Sequence, residues 1–395
     1  MKTFLGSAAA IALCPLMAHA IGLDRSAQNI DILFEDGNYA QLSFGRFFPD
    51  VSGTDLPQPL GPVTSPGGAR SGNVADDFNN VALGLKYDFN DRLSMAVILD
   101  QPYGVDVHYD EGKSVRFGGT EVAVDSRAIT ALLRYKFDDN WSVHGGLRYQ
   151  EIEADVRLRG LAYGLPFAGA PTTLNGYRGE FGSDGDLGYV IGAAYEMPEI
   201  ALRVALTYNS KTTHDLRTSE SVNGIDIATL TGGAFGDSVT EVEAPEAVNL
   251  DFQTGIAPDT LLFGSLRYAW YDDTKVSPDF FAQATDGDSL TSIENNWGGT
   301  IGIGRRLSEK LSGSVAFGYD ARESNDLVSP LAPTNGSRSL ALGLSYDVSE
   351  AINLAGGVRY IWINDARPET GDDVARARFE DNDATAVGFS IGYRF

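Results

Sequence analysis

Five times the chain sets an aliphatic residue, a basic residue and a tyrosine in succession: Leu85-Lys86-Tyr87, Leu133-Arg134-Tyr135, Leu147-Arg148-Tyr149, Leu266-Arg267-Tyr268 and Val358-Arg359-Tyr360. A guanidinium can hold a carboxylate through two parallel hydrogen bonds, so these positions offer anion pairing. Catalytic chemistry has little to work with. Beyond the first 20 residues the histidines are His108, His144 and His214, each isolated, and nothing around them suggests a nucleophile and its base. Acidic pairs such as Asp272-Asp273 and Asp286-Gly287-Asp288 carry oxygens suited to Ca²⁺, but they lack a complete calcium-loop motif and read as solvated acidic loops. No enzyme, metal or cofactor is expected.

A triplet of apolar, charged and aromatic residues is tolerable only where neighbouring side chains face different surroundings, which is the property of an extended strand. That pattern runs throughout. In residues 81–89 the odd positions, Val81, Leu83, Leu85, Tyr87 and Phe89, are apolar and the even ones small or polar. Leu340, Leu342, Leu344 and Tyr346 alternate in the same way, as do Val387, Phe389, Ile391, Tyr393 and Phe395. Fourteen such segments are expected, near 38–50, 79–89, 92–109, 119–137, 141–159, 186–198, 200–220, 238–256, 260–276, 294–307, 311–324, 337–348, 351–367 and 383–395. Tight turns such as Asn90-Asp91, Ala257-Pro258-Asp259 and Ser349-Glu350 alternate with long loops.

Composition bounds what such a chain can be. Its 395 residues include 45 Gly, 17 Tyr and 20 Phe, too aromatic for a disordered tail. The 54 acidic residues against 30 basic ones repel phosphate backbones, so nucleic acid is not an expected partner. At the start, Met1-Lys2, an apolar stretch over 4–17 and Ala18-His19-Ala20 have the form of a secretory signal over 1–20, cleaved after Ala20. Leu13 before Cys14 does not fit a lipoprotein signal, and cleavage removes Cys14, the single thiol. A thiol-free exported chain fits a Gram-negative envelope.

Beyond the signal no segment reaches the roughly 18 apolar residues needed to cross a bilayer as a helix. A closed β-barrel crosses otherwise: all its backbone groups are paired between strands, and one face of each strand meets lipid while the other meets the lumen. Even strand number and short turns alternating with long loops belong to that architecture. The triplets then place Tyr in two interfacial girdles with Lys or Arg pointing inward. The expectation is an all-β, antiparallel transmembrane barrel of about fourteen strands in the outer membrane; half-buried strands of a soluble β protein would leave the loop parity unexplained.

The export signal, fourteen strands and C-terminal Phe395 resemble the FadL-type outer-membrane transporters of long-chain fatty acids and other hydrophobic molecules. Ile21-Gly22-Leu23-Asp24-Arg25-Ser26, followed by Phe34-Glu35-Asp36-Gly37, is similar to the N-terminal entry of some bacterial members, and Pro102-Tyr103-Gly104 lies in the third strand, where this family has a kink. The resemblance implies that 21–37 folds inside the barrel as a plug carrying Leu23, Ile30, Ile32 and Phe34. It also implies that the kink opens the wall sideways to the outer leaflet. Pro102 cannot donate to a ladder, which accounts for a gap or for an ordinary bulge. The plug is shorter than in typical members, and the family's Asn-Pro-Ala motif is missing, with Asn38-Tyr39-Ala40 near its place.

In the loop over 160–185, Leu161 and Phe167 stand with Tyr163, Leu165 and Pro166; Phe280 and Phe281 occupy another long loop. These either form a collecting groove for hydrophobic molecules or fold over the barrel to close it. For a fatty carboxylate the inward partners are Arg134, Arg148, Arg267 and Arg359, which pair otherwise with lumen carboxylates. The function expected is passive transport of hydrophobic molecules, foremost long-chain fatty acids, by a monomer surrounded by outer-membrane lipid and lipopolysaccharide. A water-filled porin for small polar solutes is the alternative, and an adhesion barrel a third class.

Overall fold

The computed structural model describes residues 23–60, 63–164 and 174–395; the expected signal peptide and Phe167 lie outside them. Fourteen antiparallel strands close into a barrel. In chain order they are β1 (Tyr39–Asp50), β2 (Phe78–Asp88), β3 (Leu93–Asp100 continued by Gly104–His108), β4 (Glu121–Lys136), β5 (Trp141–Leu158), β6 (Tyr177–Met197) and β7 (Leu202–Asn209 continued by Thr212–Val222). Then follow β8 (Ser238–Ala244 continued by Glu246–Ala257), β9 (Thr260–Trp270), β10 (Asn296–Arg306), β11 (Leu311–Asp320), β12 (Ser337–Asp347), β13 (Ile352–Ile363) and β14 (Asp383–Arg394). Each pairs with its neighbour, and β1 closes on β14 in unbroken register from Tyr39 opposite Arg394 to Asp50 opposite Asp383. Closure pairs the strand edges that hydrocarbon would otherwise meet, apart from the break in β3.

The alternation in the sequence becomes two faces. The tyrosines of the five triplets are 37–43% exposed on the outside, whereas the adjoining Lys86, Arg134, Arg148, Arg267 and Arg359 are only 1–4% exposed in the lumen. Tyr87 and Tyr135 stand at the short-turn end with Phe89, Phe137, Tyr393 and Phe395; Tyr149, Tyr268 and Tyr360 stand at the long-loop end with Trp270, Trp297 and Trp362. Between these girdles the outward residues are apolar: Leu83, Ile301, Leu342 and Phe389 are among them. This is the apolar band that lipid requires.

Strand β6 begins at Tyr177, well before the expected 186. Its first residues pair with the outer end of β5, Leu158 opposite Tyr177, past an irregularity between Ile152 and Ala154. Gly179, Gly182 and Gly185, three residues apart, and the polar Glu180, Ser183 and Asp184 leave no two-residue apolar period there, so the strand lacks the pattern that reveals the others. Three strands are broken where backbone donors are lost or diverted: β3 at Gln101-Pro102-Tyr103, β7 at Ser210-Lys211 and β8 at Pro245. Only the first of these breaks was expected from sequence.

The long loops fold inward. Val51, Tyr109, Phe117, Phe281, Leu331 and Phe379 come from five long loops and join one buried apolar cluster with the outer ends of the strands. Phe280 and Phe281 are therefore not exposed tips: Glu220 accepts their N–H groups at 3.0 and 2.9 Å and the Tyr177 hydroxyl at 2.9 Å.

Candidate functional site: the occupied lumen

Small inward residues make room for the N-terminal segment. A Cβ on Gly84 would stand 2.4 Å from Ile32 Cδ1, and Ala96, Ala194 and Ala205 join Ile30, Ile32, Leu33 and Phe34 in a second buried cluster. Each apolar side chain buried in this way contributes about 1.5–3 kcal/mol. Residues Asp31–Phe34 form a 3-10 turn. The Phe34 ring lies between two guanidinium groups, 4.6 Å from that of Arg134 and 4.7 Å from that of Arg203, with His144 edge-on at 5.8 Å.

Ion pairs fix the segment along its length. At the leading end Asp24 accepts two hydrogen bonds from Arg267, 2.8 Å from Nε and 3.1 Å from Nη2, and both side chains are essentially sealed from solvent at 0 and 1% exposure. Arg267 Nη1 also donates to Asn249 Oδ1 at 2.9 Å and Gln28 Oε1 at 3.2 Å. Farther along, Arg203 pairs with Asp31 and Arg394 with Glu35, both at 2.9 Å. Burial pushes the Glu35 carboxyl up, while Arg394 draws it back down.

The third-strand break lies beside this leading end. Pairing between β2 and β3 stops at Leu83 opposite Leu99, so residues 78–82 lack a strand partner on that side. Beyond the break β3 pairs with β4 on one side and bonds residues 74–76 on the other, with His108 N–H donating to the Val74 carbonyl at 2.7 Å, and the N-terminal segment lines the gap: Arg25 N–H donates to the Pro102 carbonyl at 2.8 Å and Gly104 N–H to the Leu23 carbonyl at 2.9 Å. The Arg25 guanidinium covers the Phe78 ring at 4.5 Å and pairs with Asp106 at 3.1 Å. Gly104 leaves room for the Arg25 guanidinium in this position, because a Cβ there would stand 2.3 Å from Arg25 Cζ. Tyr103 points inward, receiving Gln28 Nε2 at 3.1 Å and donating to the Pro245 carbonyl at 3.3 Å, which joins the breaks of β3 and β8 across the lumen.

Above Leu23, toward the long loops, is a cavity of about 890 Å³, open to solvent. Its walls are Val105, Val122, Val124, Ala154, Val156 and Phe181 from β3 to β6, and its roof comes from the loops over 271–295 and 321–336, notably Val276, Leu290, Val328 and Leu331. A smaller space of about 550 Å³ on the other side of the segment is polar, lined by Asp31, Arg203, Asn249, Asp251 and Arg267.

The expected site residues thus fall into separate places. Leu23 lines the apolar cavity. Ile30, Ile32 and Phe34 lie below it in the buried segment, and Pro102, Tyr103 and Gly104 mark the wall break. Leu161 sits in a loop turn, bonded to the Val115 carbonyl at 3.0 Å, and does not line the cavity. None of the four arginines does so either. Arg134 pairs with Glu196 and bonds Ser142 at 3.0 Å; Arg148 bonds Thr130 and Asn209, each at 3.0 Å; Arg359 is buried against Gly318. Sequence reasoning missed Asp24 as the partner of Arg267 and missed the loop residues of the roof. The first stands 243 positions from its partner, and the second has no periodicity to betray it.

An apolar cavity over an occupied lumen, beside a broken strand, suits a transporter of greasy molecules, and the family model for outer membrane transport proteins described as OMPP1/FadL/TodX matches residues 50–395. The chain belongs to this family. It is an outer-membrane, multi-pass β-barrel, and the family's members transport hydrophobic compounds. Among solved structures, a Pseudomonas aeruginosa FadL homologue is similar at a TM-score of 0.73 and 16% identity, with 96% of each chain covered. The Pseudomonas putida toluene transporter TodX follows at 0.63 and 11%, with 92% of each covered. The Ralstonia pickettii toluene transporter TbuX gives 0.60 and 12%, with 91% of this chain and 90% of that one covered. No curated protein matches the sequence.

Proposed function

We propose that the protein passes hydrophobic molecules passively into the outer membrane, taking them up in the apolar cavity and releasing them sideways at Pro102-Tyr103-Gly104, with residues 23–37 acting as the plug. The observation that carries this reading is the cavity itself, which is walled by aliphatic side chains and ends on Leu23 beside the broken strand. A porin would instead need a polar constriction free of an apolar segment. Neutral hydrophobic molecules, such as the toluene named for two of the similar transporters, suit this lining better than the long-chain fatty acids implied by the resemblance. A fatty chain would fit the walls, but its carboxylate would find no cation among the lining residues. The test is uptake of radiolabelled toluene and oleate by cells carrying the intact gene, a deletion of residues 23–37, or Pro102→Ala combined with Gly104→Val. Toluene uptake is expected with the intact gene and a clear loss with the double substitution. Uptake no greater than in cells lacking the gene, together with a large ion conductance, would establish a porin.

A further inference from the structure

Most of the polar groups that border the apolar cavity are already occupied. Asn296 receives Trp297 N–H at 2.7 Å and donates to the Ala321 carbonyl at 3.0 Å. Asn335 receives Glu323 N–H at 2.8 Å and donates to the Asn325 carbonyl at 2.7 Å. The Thr291 hydroxyl donates to the Thr274 carbonyl at 2.7 Å, and the Ser329 hydroxyl accepts Leu331 N–H at 3.2 Å. Glu323 is different. It is the one ionisable residue among those lining the cavity, and its carboxylate receives a single long hydrogen bond, from Glu294 N–H at 3.5 Å. Among the described residues no cation pairs with it. Glu294, the charged group acting on it, is an acid held in place by Ser324 N–H at 2.6 Å.

We infer that Glu323 is the specificity residue of this cavity, accepting a hydrogen bond from the hydroxyl or amine head of an otherwise apolar molecule and turning carboxylates away. The inference rests on the cavity being the binding site and ranks hydrophobic molecules with one donor group above those with none. A half-buried carboxylate with spare acceptor capacity strengthens a donor's bond, since hydrogen bonds to charged groups are roughly twice as strong as neutral ones. Against an anion, the same carboxylate and neighbouring Glu294 act as like charges in a setting of low polarity. Burial among apolar side chains, and the repulsion from Glu294, push the Glu323 carboxyl up to about 7, so it is substantially ionised at neutral pH and above.

Three probes with the same methylated ring separate the possibilities: p-xylene with no donor, p-cresol with a hydroxyl and p-toluate with a carboxylate. Equilibrium binding of each, tritiated, would be measured at pH 8 on the full-length barrel purified in detergent, as wild type and as Glu323→Gln. The wild type should bind p-cresol about tenfold more tightly than p-xylene and p-toluate most weakly. Glu323→Gln should leave p-xylene affinity unchanged, erode the p-cresol preference and strengthen p-toluate about tenfold. Unchanged p-xylene binding also certifies that the variant is folded around an intact cavity. If the variant keeps the wild-type ratios within about twofold, the role of Glu323 is refuted while the cavity stands. If the wild type binds neither p-xylene nor p-cresol, the cavity is not the site and both readings fall.

Discussion

Replacing Asp24 by Asn should unseat the leading end of the N-terminal segment. The substitution keeps the shape of the side chain but removes the charge that answers Arg267, whose guanidinium is 1% exposed and has two of its hydrogen bonds directed at that carboxylate. Gln28, Asn249 and the Ala27 carbonyl still accept from Arg267, but none carries a charge. Leaving one member of a buried ion pair unanswered costs about 3–5 kcal/mol, and each 1.4 kcal/mol is a factor of about ten. The ratio of seated to released leading ends should therefore fall by roughly two to four powers of ten, because release gives Arg267 back to water. Arg203–Asp31, Arg394–Glu35 and the burial of Phe34 continue to hold the trailing end, so the expected phenotype is frequent brief opening rather than a permanent pore. Single-channel recording in planar bilayers reads this as a rise in opening frequency of at least about a hundredfold. A control follows from the same physics: Asp24→Leu combined with Arg267→Met removes both charges, leaves only the neutral acceptors of Ala27, Gln28 and Asn249 without that donor, and should be far quieter than Asp24→Asn. A silent Asp24→Asn protein, with normal heat-modifiable migration showing that it is folded, would refute the reasoning, as would a double variant as leaky as the single one.

Gly104→Val alone should displace the Arg25 guanidinium, because the added Cβ would occupy its place at 2.3 Å; uptake of radiolabelled toluene should drop severalfold, with heat-modifiable migration unchanged. Leu342→Arg, on the outward face midway along β12, should cost the folded barrel about 2–4 kcal/mol in a denaturant titration in phospholipid vesicles; the neighbouring inward position, Gly343, should not show that lipid penalty. With the Glu323 carboxyl pushed up to about 7, a ligand that donates to its ionised form binds more tightly as pH rises from 6 to 8. A phenol titrating near 10 stays neutral over that range, so p-cresol affinity should climb and level off while p-toluate affinity falls, both read by equilibrium binding.

How far the sequence discloses this structure depends on how local each cause is. The barrel is legible because lipid on one side and lumen on the other impose a two-residue period wherever a strand crosses. Leu340, Leu342 and Leu344 or Val387, Phe389 and Ile391 display it within a few residues. The same cause fixes the triplets, in which Tyr and Arg of one strand face lipid and lumen respectively. Where glycine replaces the apolar partner, as at Gly179 and Gly182 in β6, the period vanishes although the strand remains. The breaks follow the same logic. Pro102 is visible because it lacks a donor, and Pro245 sits in a strand that its flanking residues make look continuous.

The site is less legible for a physical reason. Its determinants are long-range pairings across an enclosed lumen: Asp24 with Arg267, Phe34 between Arg134 and Arg203, Tyr103 with Pro245. No spacing along the chain encodes which inward arginine meets which carboxylate, because any inward position at the right depth could serve. An acidic excess predicts that such pairs exist without naming them. Arg267 shows what the excess does: its guanidinium is held by Asp24 of the N-terminal segment, and the ionisable group left facing the cavity is itself an acid. The charge balance of the lumen thereby bears on cargo. On the proposed reading, with Arg267 engaged by the N-terminal segment, the cavity above it suits molecules that bring no negative charge.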